Sequence, residues 1–445
     1  MTDTIAAIAT AGGTGSIAIV RVSGPDAPKL ALSVAPKASL APRQAELAGL
    51  FDPGGTLIDQ GLILYFQAPR SFTGEEVVEF QCHGGVVVAR QILEALVHAG
   101  ARLADPGEFT KRAFLNGKID LSQAEAIAGI IEAKSVRGTQ ILARQLRGEL
   151  GEFVVATREA LLRILAHSEV MIDYAEEVEG SVVEVLTEQL DTLQEHLERT
   201  VRSSLRRKGL IEGFRIAIVG KPNVGKSSLL NAMLAYDRAI VSPIAGTTRD
   251  TIEETIKIGS HHVRLIDTAG IRSSEDAIEQ IGVERSLASL QEADIVVALF
   301  DASRSWDEED RRIADLLEAL PRENVLVVIN KIDLPNRLDR APLSQWPHLE
   351  LSVAQDAEPL IARLETLLDQ RGDGEEPMLV SQRQVEAVRS CSEQIRQAHG
   401  PLEEGELELF SYHIREAIDR IGSITHPYED SEMLDRMFGE FCLGK

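Results

Sequence analysis

Two hydrophobic patterns alternate along the chain and predict different kinds of structure. Short apolar, β-branched runs bounded by turn residues recur before about residue 118 and again between about 213 and 374, and they predict strands. Between about 119 and 210, and again after about 378, apolar residues return every three or four positions, which predicts helices. The pattern therefore predicts strand-rich blocks that are separated, and then followed, by helical blocks.

The first strand-rich block, residues 1–118, predicts a small α+β domain. Strand patterns cover 17–22, 61–66 and 77–82, and a helical pattern covers 91–99. We interpret the glycines at 12–15 as a turn. His83 precedes two glycines, and we favour a helix start there over a catalytic histidine.

The helical blocks carry their own start and stop signals. Ser122 and Glu125 are spaced as a capping box at the start of the first block. A helical pattern at 182–205 ends in a basic cluster formed by Arg202, Arg206, Arg207 and Lys208. We interpret this cluster as a charge cap on a helix C-terminus, with an RNA contact as the alternative. Helical patterns resume at 380–398 and 406–421.

These patterns predict a multidomain chain of the α/β plus α class. The domains are a small α+β domain at 1–118, a first helical part at 119–212, an α/β domain at 213–374 and a second helical part at 375–445. We expect the α/β domain to be inserted into one helical domain. Its sheet should be mixed but mostly parallel, with helices on both faces.

Composition narrows the possible environments and partners. The 445 residues carry a formal net charge of −24, so any RNA contact needs a local basic patch. Only 3 cysteines are present, which indicates a reducing compartment rather than a disulfide framework. The first ten residues have no basic region and no apolar run approaches ~18 residues. We therefore expect a cytoplasmic protein without stable membrane insertion.

A phosphate-binding loop is the clearest chemical motif. Residues 220–227, GKPNVGKS, follow an apolar strand pattern and lead into a helix pattern. Backbone N–H groups of such a loop surround phosphate oxygens, and the helix N-terminus adds partial positive charge. Lys226 is expected at the β- and γ-phosphates, and Ser227 at Mg²⁺.

Two further motifs select the base and complete the magnesium site. Asp333 ends an N-K-x-D stretch, and its carboxylate can accept hydrogen bonds from the N1–H and exocyclic amine of guanine, which adenine lacks. Asp267 begins a D-T-A-G stretch after another strand pattern, where an acid suits a water-mediated Mg²⁺ contact. Thr248 lies between these motifs and the phosphate loop and is expected to provide the second Mg²⁺ hydroxyl. In this order the motifs resemble those of Ras-like small GTPases.

The predicted nucleotide-binding residues come from these motifs and from a candidate guanine loop, where Val353 stands in place of the usual alanine. They are Asn223, Val224, Gly225, Lys226, Ser227, Ser228, Ser242, Thr247, Thr248, Asp267, Thr268, Ala269, Gly270, Asn330, Lys331, Asp333, Ser352 and Val353. Ile271 stands where Ras-like proteins carry a glutamine that positions water, and an aliphatic side chain cannot do this. Another group must therefore orient the water, and an acidic stretch at 276–285 offers candidates.

Other runs extend the resemblance over essentially the whole chain. They lie at 19–24, 71–75, 83–85, 106–109 and 112–125, and a terminal Cys-Leu-Gly-Lys stands at 442–445. Together with the GTPase motifs, they resemble the MnmE (TrmE) family of tRNA-modification GTPases. A ribosome-assembly GTPase of the Era type is the alternative, but it would need a basic RNA-binding module after the nucleotide domain.

The resemblance implies a folate site and a tRNA reaction. The N-terminal domain would bind a tetrahydrofolate derivative, in the 5-formyl or methylene form, and form a homodimer. Arg21, Glu79 and Lys118 match folate-contacting positions, the terminal Lys445 would reach the same site, and Cys442 would lie beside it. With the FAD-dependent partner MnmG and tRNA, the protein would add a carboxymethylaminomethyl-type group to C5 of the wobble uridine.

The resemblance also implies how GTP is hydrolysed. Paired nucleotide domains would bind K⁺ through Asn223, Ser242, Ile244 and Thr247. Glu279 matches the residue that orients the attacking water, while Arg249 and Arg272 match switch arginines. The expected catalytic set is therefore Glu279, Lys226, Thr248 and Arg249, with Cys442 serving the tRNA chemistry.

Overall fold

We describe the chain from a computed structural model, which covers residues 3–173, 180–240, 253–267, 290, 292–372, 374, 376–426, 431–439, 441 and 444. The chain forms two compact units. The first comprises Met1–Ile131, Arg144–Gln194 and Glu386–Lys445, and the second comprises Glu132–Ala143 and Glu195–Val385. The four-part domain division remains a prediction.

The strands fall in the two regions that the apolar runs predict. In chain order they are β1 (Ile5–Ile8), β2 (Ile17–Ser23), β3 (Ala45–Phe51), β4 (Leu57–Phe66), β5 (Val77–His83), β6 (Arg102–Leu103), β7 (Phe214–Gly220), β8 (Glu253–Ile258), β9 (His261–Asp267), β10 (Ile295–Asp301), β11 (Val325–Asn330) and β12 (His348–Glu350).

The helices likewise follow the predicted blocks. They are α1 (Ala27–Val34), α2 (Val86–Ala99), α3 (Glu108–Leu115), α4 (Leu121–Glu132), α5 (Val136–Leu146), α6 (Glu149–Asp173), α7 (Gly180–Arg207), α8 (Gly209–Glu212), α9 (Lys226–Ile240), α10 (Glu308–Glu318), α11 (Glu358–Gly372), α12 (Gln382–Glu404), α13 (Leu407–Gly422) and α14 (Ser431–Gly439). None of the helices in the described ranges is long and apolar enough to cross a membrane.

The first unit contains a six-stranded sheet in the order β3-β4-β5-β2-β1-β6. Its strands pair antiparallel except for β6, which runs parallel to β1. Helices α1 and α2 cover one face, where Val20, Val22 and Phe80 are buried. Because side chains alternate along a strand, Arg21 and Glu79 lie on the opposite face, directly across from each other in the β2–β5 pair.

The second unit contains a mixed sheet in the order β12-β11-β10-β7-β9-β8. All neighbouring strands run parallel except β8 and β9, which form a hairpin around residues 259 and 260. Helices α9 and α11 pack on one face, and α10 packs on the other. All seven residues of β10 are buried, which explains why it reads as a continuous apolar run. This sheet confirms the predicted mixed, mostly parallel type.

The cap of α4 differs from the prediction. The Asp120 carboxylate accepts from the Gln123 backbone at 2.8 Å, and the Gln123 side chain accepts from the Asp120 backbone at 2.9 Å. Ser122 instead donates to Asp120 at 2.6 Å. The capping box is therefore Asp120–Gln123, and Ser122–Glu125 is wrong by two residues, because Asp serves as an N-cap as well as Ser does.

Arg206 and Arg207 lie in the last turn of α7, as the predicted charge cap requires, and Arg207 has a further, buried role. Its side chain is 1% exposed. It donates to the carbonyls of Gly374 at 3.1 Å and Glu376 at 2.6 Å. Arg207 therefore fastens the segment that follows α11 to the last turn of α7, whereas Arg202, Arg206 and Lys208 are exposed.

Candidate nucleotide-binding site

The phosphate loop connects β7 to α9 at the carboxyl edge of the parallel strands. Asn223 has a φ of 63°, and Gly225 has a φ of 114°. A Cβ atom at Gly225 would lie 2.3 Å from Asn330 Nδ2, so the loop requires glycine at this position. The exposed Ser227 lies in the first turn of α9, where the phosphate-loop hydroxyl that binds Mg²⁺ is expected.

Lys226 lies folded against its own loop. Its Nζ donates to the carbonyl of Gly220 at 2.5 Å and to that of Lys221 at 2.8 Å. These carbonyls hold the ammonium group at the phosphate loop, which is the position that β- and γ-phosphate binding requires.

Asn330 joins the base-selecting segment to the phosphate loop. It lies at the end of β11 and is 3% exposed. Its Nδ2 donates to the Val224 carbonyl at 2.8 Å, and its Oδ1 accepts from the backbone N–H groups of Lys331 at 2.8 Å and Val353 at 2.9 Å. One buried amide therefore fixes three chain segments relative to each other.

Lys331 adds a second link between the same segments. Its Nζ donates to the Asn223 carbonyl at 2.7 Å and to Asp301 Oδ2 at 2.7 Å. Burial raises the pKa of Asp301, but hydrogen bonds from Lys331 and Ser303 outweigh it, so this pKa lies below its ordinary value. Asp301 therefore serves as a charged anchor at the end of β10.

Asp333 and the 352–353 segment lie on either side of this network. Asp333 is exposed in the turn after Lys331, so its carboxylate is available to a base. Ser352 and Val353 are 6% exposed. The Val353 N–H donates to Asn330 Oδ1 at 2.9 Å, so this N–H already has an acceptor within the protein. The next residue, Ala354, is exposed.

Arg21 and Glu79 lie on the face of the first sheet opposite α1 and α2. Arg21 Nε donates to Glu79 Oε1 at 2.8 Å. The Arg21 guanidinium lies 6.0 Å from the centre of the Phe72 ring and 5.6 Å from that of Phe109. Lys118 Nζ donates to the Pro69 carbonyl at 3.0 Å, which ties it to the turn that carries Phe72. The structure thus brings Arg21 and Glu79 together beside aromatic rings.

The buried Arg112 forms a network of ion pairs with three acids of the same unit. The Arg112 side chain is 0% exposed and contacts Asp3 at 2.9 Å, Glu108 at 3.0 Å and Glu75 at 3.2 Å. Glu75 also accepts from Ser23 at 2.7 Å. The runs at 71–75 and 106–112 therefore meet at Arg112, although they are distant in sequence.

The C-terminal tail reaches the same unit. Helix α14 packs on α3, where Phe438 contacts Phe114 with ring centres 6.2 Å apart. Gly444 is buried, and a Cβ atom there would lie 2.3 Å from the Ile8 carbonyl oxygen. Ile8 pairs with Val20, which precedes Arg21 in β2. The residue that Gly444 contacts is therefore one position along β1 from the partner of Arg21.

Comparison with known proteins agrees with these observations. The family models described as "GTP-binding protein TrmE N-terminus" and "MnmE helical domain" match residues 4–118 and 121–442. Two proteins named tRNA modification GTPase MnmE, from Sulfurovum sp. and Nitratiruptor sp., are 56% and 57% identical over 100% of this chain and 99% of their own lengths. The chain belongs to the MnmE family of tRNA modification GTPases. It is therefore a GTP-hydrolysing enzyme of tRNA modification.

Solved structures add little to the MnmE assignment. An Era structure with MgGDPNP and a segment of 16S ribosomal RNA is 31% identical, and the match covers 41% of this chain and 66% of that chain. Its TM-score is only 0.28. The MnmE relatives match along the whole chain, which favours tRNA modification over the ribosome-assembly alternative.

Several predicted site residues lie outside the described residues. They are Ser242, Ile244, Thr247, Thr248, Arg249, Thr268, Ala269, Gly270, Ile271, Arg272, Glu279, Cys442 and Lys445. Asp267 ends β9, and its backbone pairs with Ile218 of β7 beside the phosphate loop. The roles assigned to these residues remain predictions.

Three residues of these sites were not predicted individually from the sequence: Lys221, Phe72 and Arg112. Lys221 occupies a position that the phosphate-loop motif leaves free, and Phe72 and Arg112 lie within runs that carried the MnmE resemblance. Lys221 could be recognised only from the fold, because its partners Asp307 and Asp310 are distant from it in the sequence.

Proposed function

We propose that this MnmE-family chain binds GTP·Mg²⁺ at the β7–α9 loop and uses hydrolysis to drive wobble-uridine modification. The observation that carries the proposal is the buried Asn330 amide, which holds the loop containing Lys226 beside the segment containing Asp333. This arrangement allows phosphates and base of one nucleotide to be recognised together. Guanine selectivity comes from the exposed Asp333 carboxylate.

The metal and catalytic roles are assigned by motif. Ser227 and Thr248 bind Mg²⁺ through their hydroxyl groups, and Asp267 contacts the ion through water. Asn223, Ser242, Ile244 and Thr247 bind K⁺, and Arg249 lies in the switch. Because Ile271 cannot orient water, Glu279 does so. The exposed Asn223 carries a side-chain amide oxygen that can bind a cation beside the phosphates, which supports the K⁺ assignment.

The N-terminal domain binds a tetrahydrofolate derivative at Arg21, Glu79, Lys118 and Lys445. The Arg21–Glu79 pair supports this, because a carboxylate suits the adjacent N–H donors of a pterin, and the Phe72 ring beside Arg21 offers a flat apolar surface. Gly444 lies against Ile8, and this contact supports a shared site for the folate and the tail that carries Cys442 and Lys445.

The protein works as a homodimer with an FAD-dependent partner in the cytoplasm. Pairing of the two nucleotide domains completes K⁺-stimulated hydrolysis, and the resulting conformational change reaches the folate site through the helical domain. The product is a carboxymethylaminomethyl-type group on C5 of the wobble uridine in certain tRNAs.

Reconstitution tests this proposal. The full chain, the FAD-dependent partner, GTP, tRNA, glycine as the source of the carboxymethylamino part and an isotopically labelled tetrahydrofolate, in the methylene or the 5-formyl form, are combined in KCl or in NaCl. We expect labelled wobble uridine by mass spectrometry and faster GTP turnover in KCl. Equal turnover in the two salts would reject the K⁺ role, and unlabelled uridine with both folate forms would reject the folate role.

Two variants separate the sites in this assay. Glu279→Ala should lose most GTP turnover while retaining nucleotide binding, because only water orientation is removed. Cys442→Ser should lose uridine modification at a near-normal GTPase rate. Loss of both activities in Cys442→Ser would instead indicate a structural role for the thiol.

A further inference from the structure

Lys221 is a buried lysine inside the phosphate loop that the assigned nucleotide contacts do not use. Its side chain is 7% exposed. Its Nζ donates to Asp307 Oδ2 at 2.8 Å and to Asp310 Oδ2 at 2.7 Å. Burying an ammonium group is costly unless it is paired. We therefore treat this contact as a defined part of the fold and not as a variable surface ion pair.

The two acids are the capping box of α10. Asp307 is the N-cap, and its Oδ1 accepts from the backbone of Glu309 at 3.0 Å and of Asp310 at 3.2 Å. Asp310 Oδ2 accepts from the Asp307 backbone at 3.2 Å. Lys221 therefore contacts the groups that define where α10 begins.

The backbone of Lys221 contacts the catalytic machinery. Its carbonyl oxygen accepts from Lys226 Nζ at 2.8 Å. The same residue thus holds α10 with its side chain and Lys226 with its backbone. A displacement of Lys221 would move the carbonyl that holds the Lys226 ammonium group.

The positive charge of Lys221 balances the two acids at the start of α10. Asp310 is 2% exposed and Lys221 is the cation that faces it. Burial raises the pKa of Asp310. The pKa of Lys221 also lies above its ordinary value, because the two acids raise it more than burial lowers it. Removing the lysine would leave two carboxylates close to the site where phosphates bind, and like charges there oppose nucleotide binding.

We propose that Lys221 is a positioning residue for GTP binding, which couples the N-terminus of α10 to the phosphate loop and sets the position of Lys226. Nucleotide binding then changes the environment of the α10 N-terminus. The inference rests on the GTPase activity and not on the folate or K⁺ assignments.

Trp306 provides a reporter for this coupling. It precedes Asp307, and its ring stacks on Phe300 with centres 5.7 Å apart. The other tryptophan, Trp346, is 3% exposed and is removed by Trp346→Phe. In that background, we expect GDP or a non-hydrolysable GTP analogue to change the emission of Trp306.

The decisive variant is Lys221→Met, which keeps most of the side-chain volume and removes the charge. We expect the Kd for GDP and for the analogue to rise about tenfold, a change of ~1.4 kcal/mol, with a matching rise in KM and kcat within about twofold. Lys221→Arg should restore Kd to within about threefold, because it keeps the charge. The nucleotide-dependent change in Trp306 emission should disappear in Lys221→Met.

A second variant distinguishes the loss of this contact from misfolding caused by an unpaired buried charge. Lys221→Met combined with Asp307→Asn and Asp310→Asn removes all three charges and so avoids an uncompensated buried carboxylate. It should fold, yet still bind GDP weakly and lack the Trp306 response. If either variant shows a lower Tm but an unchanged Kd and an intact Trp306 response, Lys221 is only a structural clamp and the proposal is overturned.

Discussion

The side-chain amide of Asn330 donates to the Val224 carbonyl at 2.8 Å, so the residue that begins the base-selecting motif also holds the phosphate loop. Asn330→Ala removes this bond and leaves the buried N–H of Val353 without its acceptor, each at a cost of ~1–3 kcal/mol. We expect the Kd for GDP, measured by calorimetry, to rise at least about tenfold.

Asn336→Ala is the matched control, because Asn336 is exposed in the same loop region. It should bind GDP like the wild type. A wild-type Kd in Asn330→Ala would contradict the role given to the amide.

The contact of Gly444 with Ile8 predicts that a single methyl group displaces the C-terminal tail. Gly444→Ala would place a Cβ atom 2.3 Å from the Ile8 carbonyl oxygen, at a φ of 89°. We expect uridine modification and folate binding to fall at least about tenfold while GTP turnover stays normal. Modification is measured by nucleoside mass spectrometry.

Gly439→Ala is its control, because no atom lies within 4 Å of the added Cβ. If Gly444→Ala modifies tRNA normally, close docking of the tail on β1 is not needed for the reaction.

The Arg112 network predicts a pH-dependent contribution to stability. Burial raises the pKa of Glu108, but hydrogen bonds from Arg102, the Asp105 backbone and Arg112 outweigh it, so this pKa lies below its ordinary value of 4.5. A carboxylate of this kind stabilises the fold above its ordinary pKa, and the contribution is lost as the pH falls through the folded-state pKa.

Glu108→Gln should therefore lower Tm near pH 7, and its difference from the wild type should shrink below about pH 4. Calorimetry at both pH values measures this. A difference in Tm that does not depend on pH would mean that shape, and not charge, is what Glu108 contributes.

Arg207 holds the segment after α11, so its loss should loosen the chain where it leaves the nucleotide-binding fold. Arg207→Met removes the donors to the carbonyls of Gly374 and Glu376. We expect faster limited proteolysis between about 372 and 380 and a loss of ~1–3 kcal/mol of stability. Arg206→Met, at an exposed position, should leave the cleavage rate unchanged. Equal cleavage of the two variants would contradict this role for Arg207.

Much of this architecture could be predicted from the sequence because periodicity and motif spacing are local properties. The buried run of β10, the β8–β9 hairpin and the phosphate loop all follow from short segments. Strand β3 was missed, since Ala45 to Phe51 includes alanine, glutamate and glycine rather than a β-branched run.

Contacts between distant segments could not be predicted in this way. Lys221 meets Asp307 and Asp310 only because β7 and β10 are neighbours in the sheet. Val353 could be aligned with a guanine loop, but its N–H is bonded to Asn330, which depends on the pairing of β11 and β12. The burial of Arg207 likewise depends on a segment more than 160 positions further along the chain.

Asp333 selects guanine in the proposed site, and the preference between two nucleotides that differ at the base measures this role. Xanthine carries a carbonyl where guanine carries its 2-amine, so Asp333→Asn exchanges an acceptor for a donor at the position that reads this group. Titrations with GTP and XTP compare the wild type, this variant and Asp339→Asn, a control at an exposed acid nearby. We expect Asp333→Asn to bind GTP about 100-fold more weakly and to prefer XTP, with the control unchanged. Retention of the wild-type preference for GTP in Asp333→Asn would show that Asp333 does not select the base.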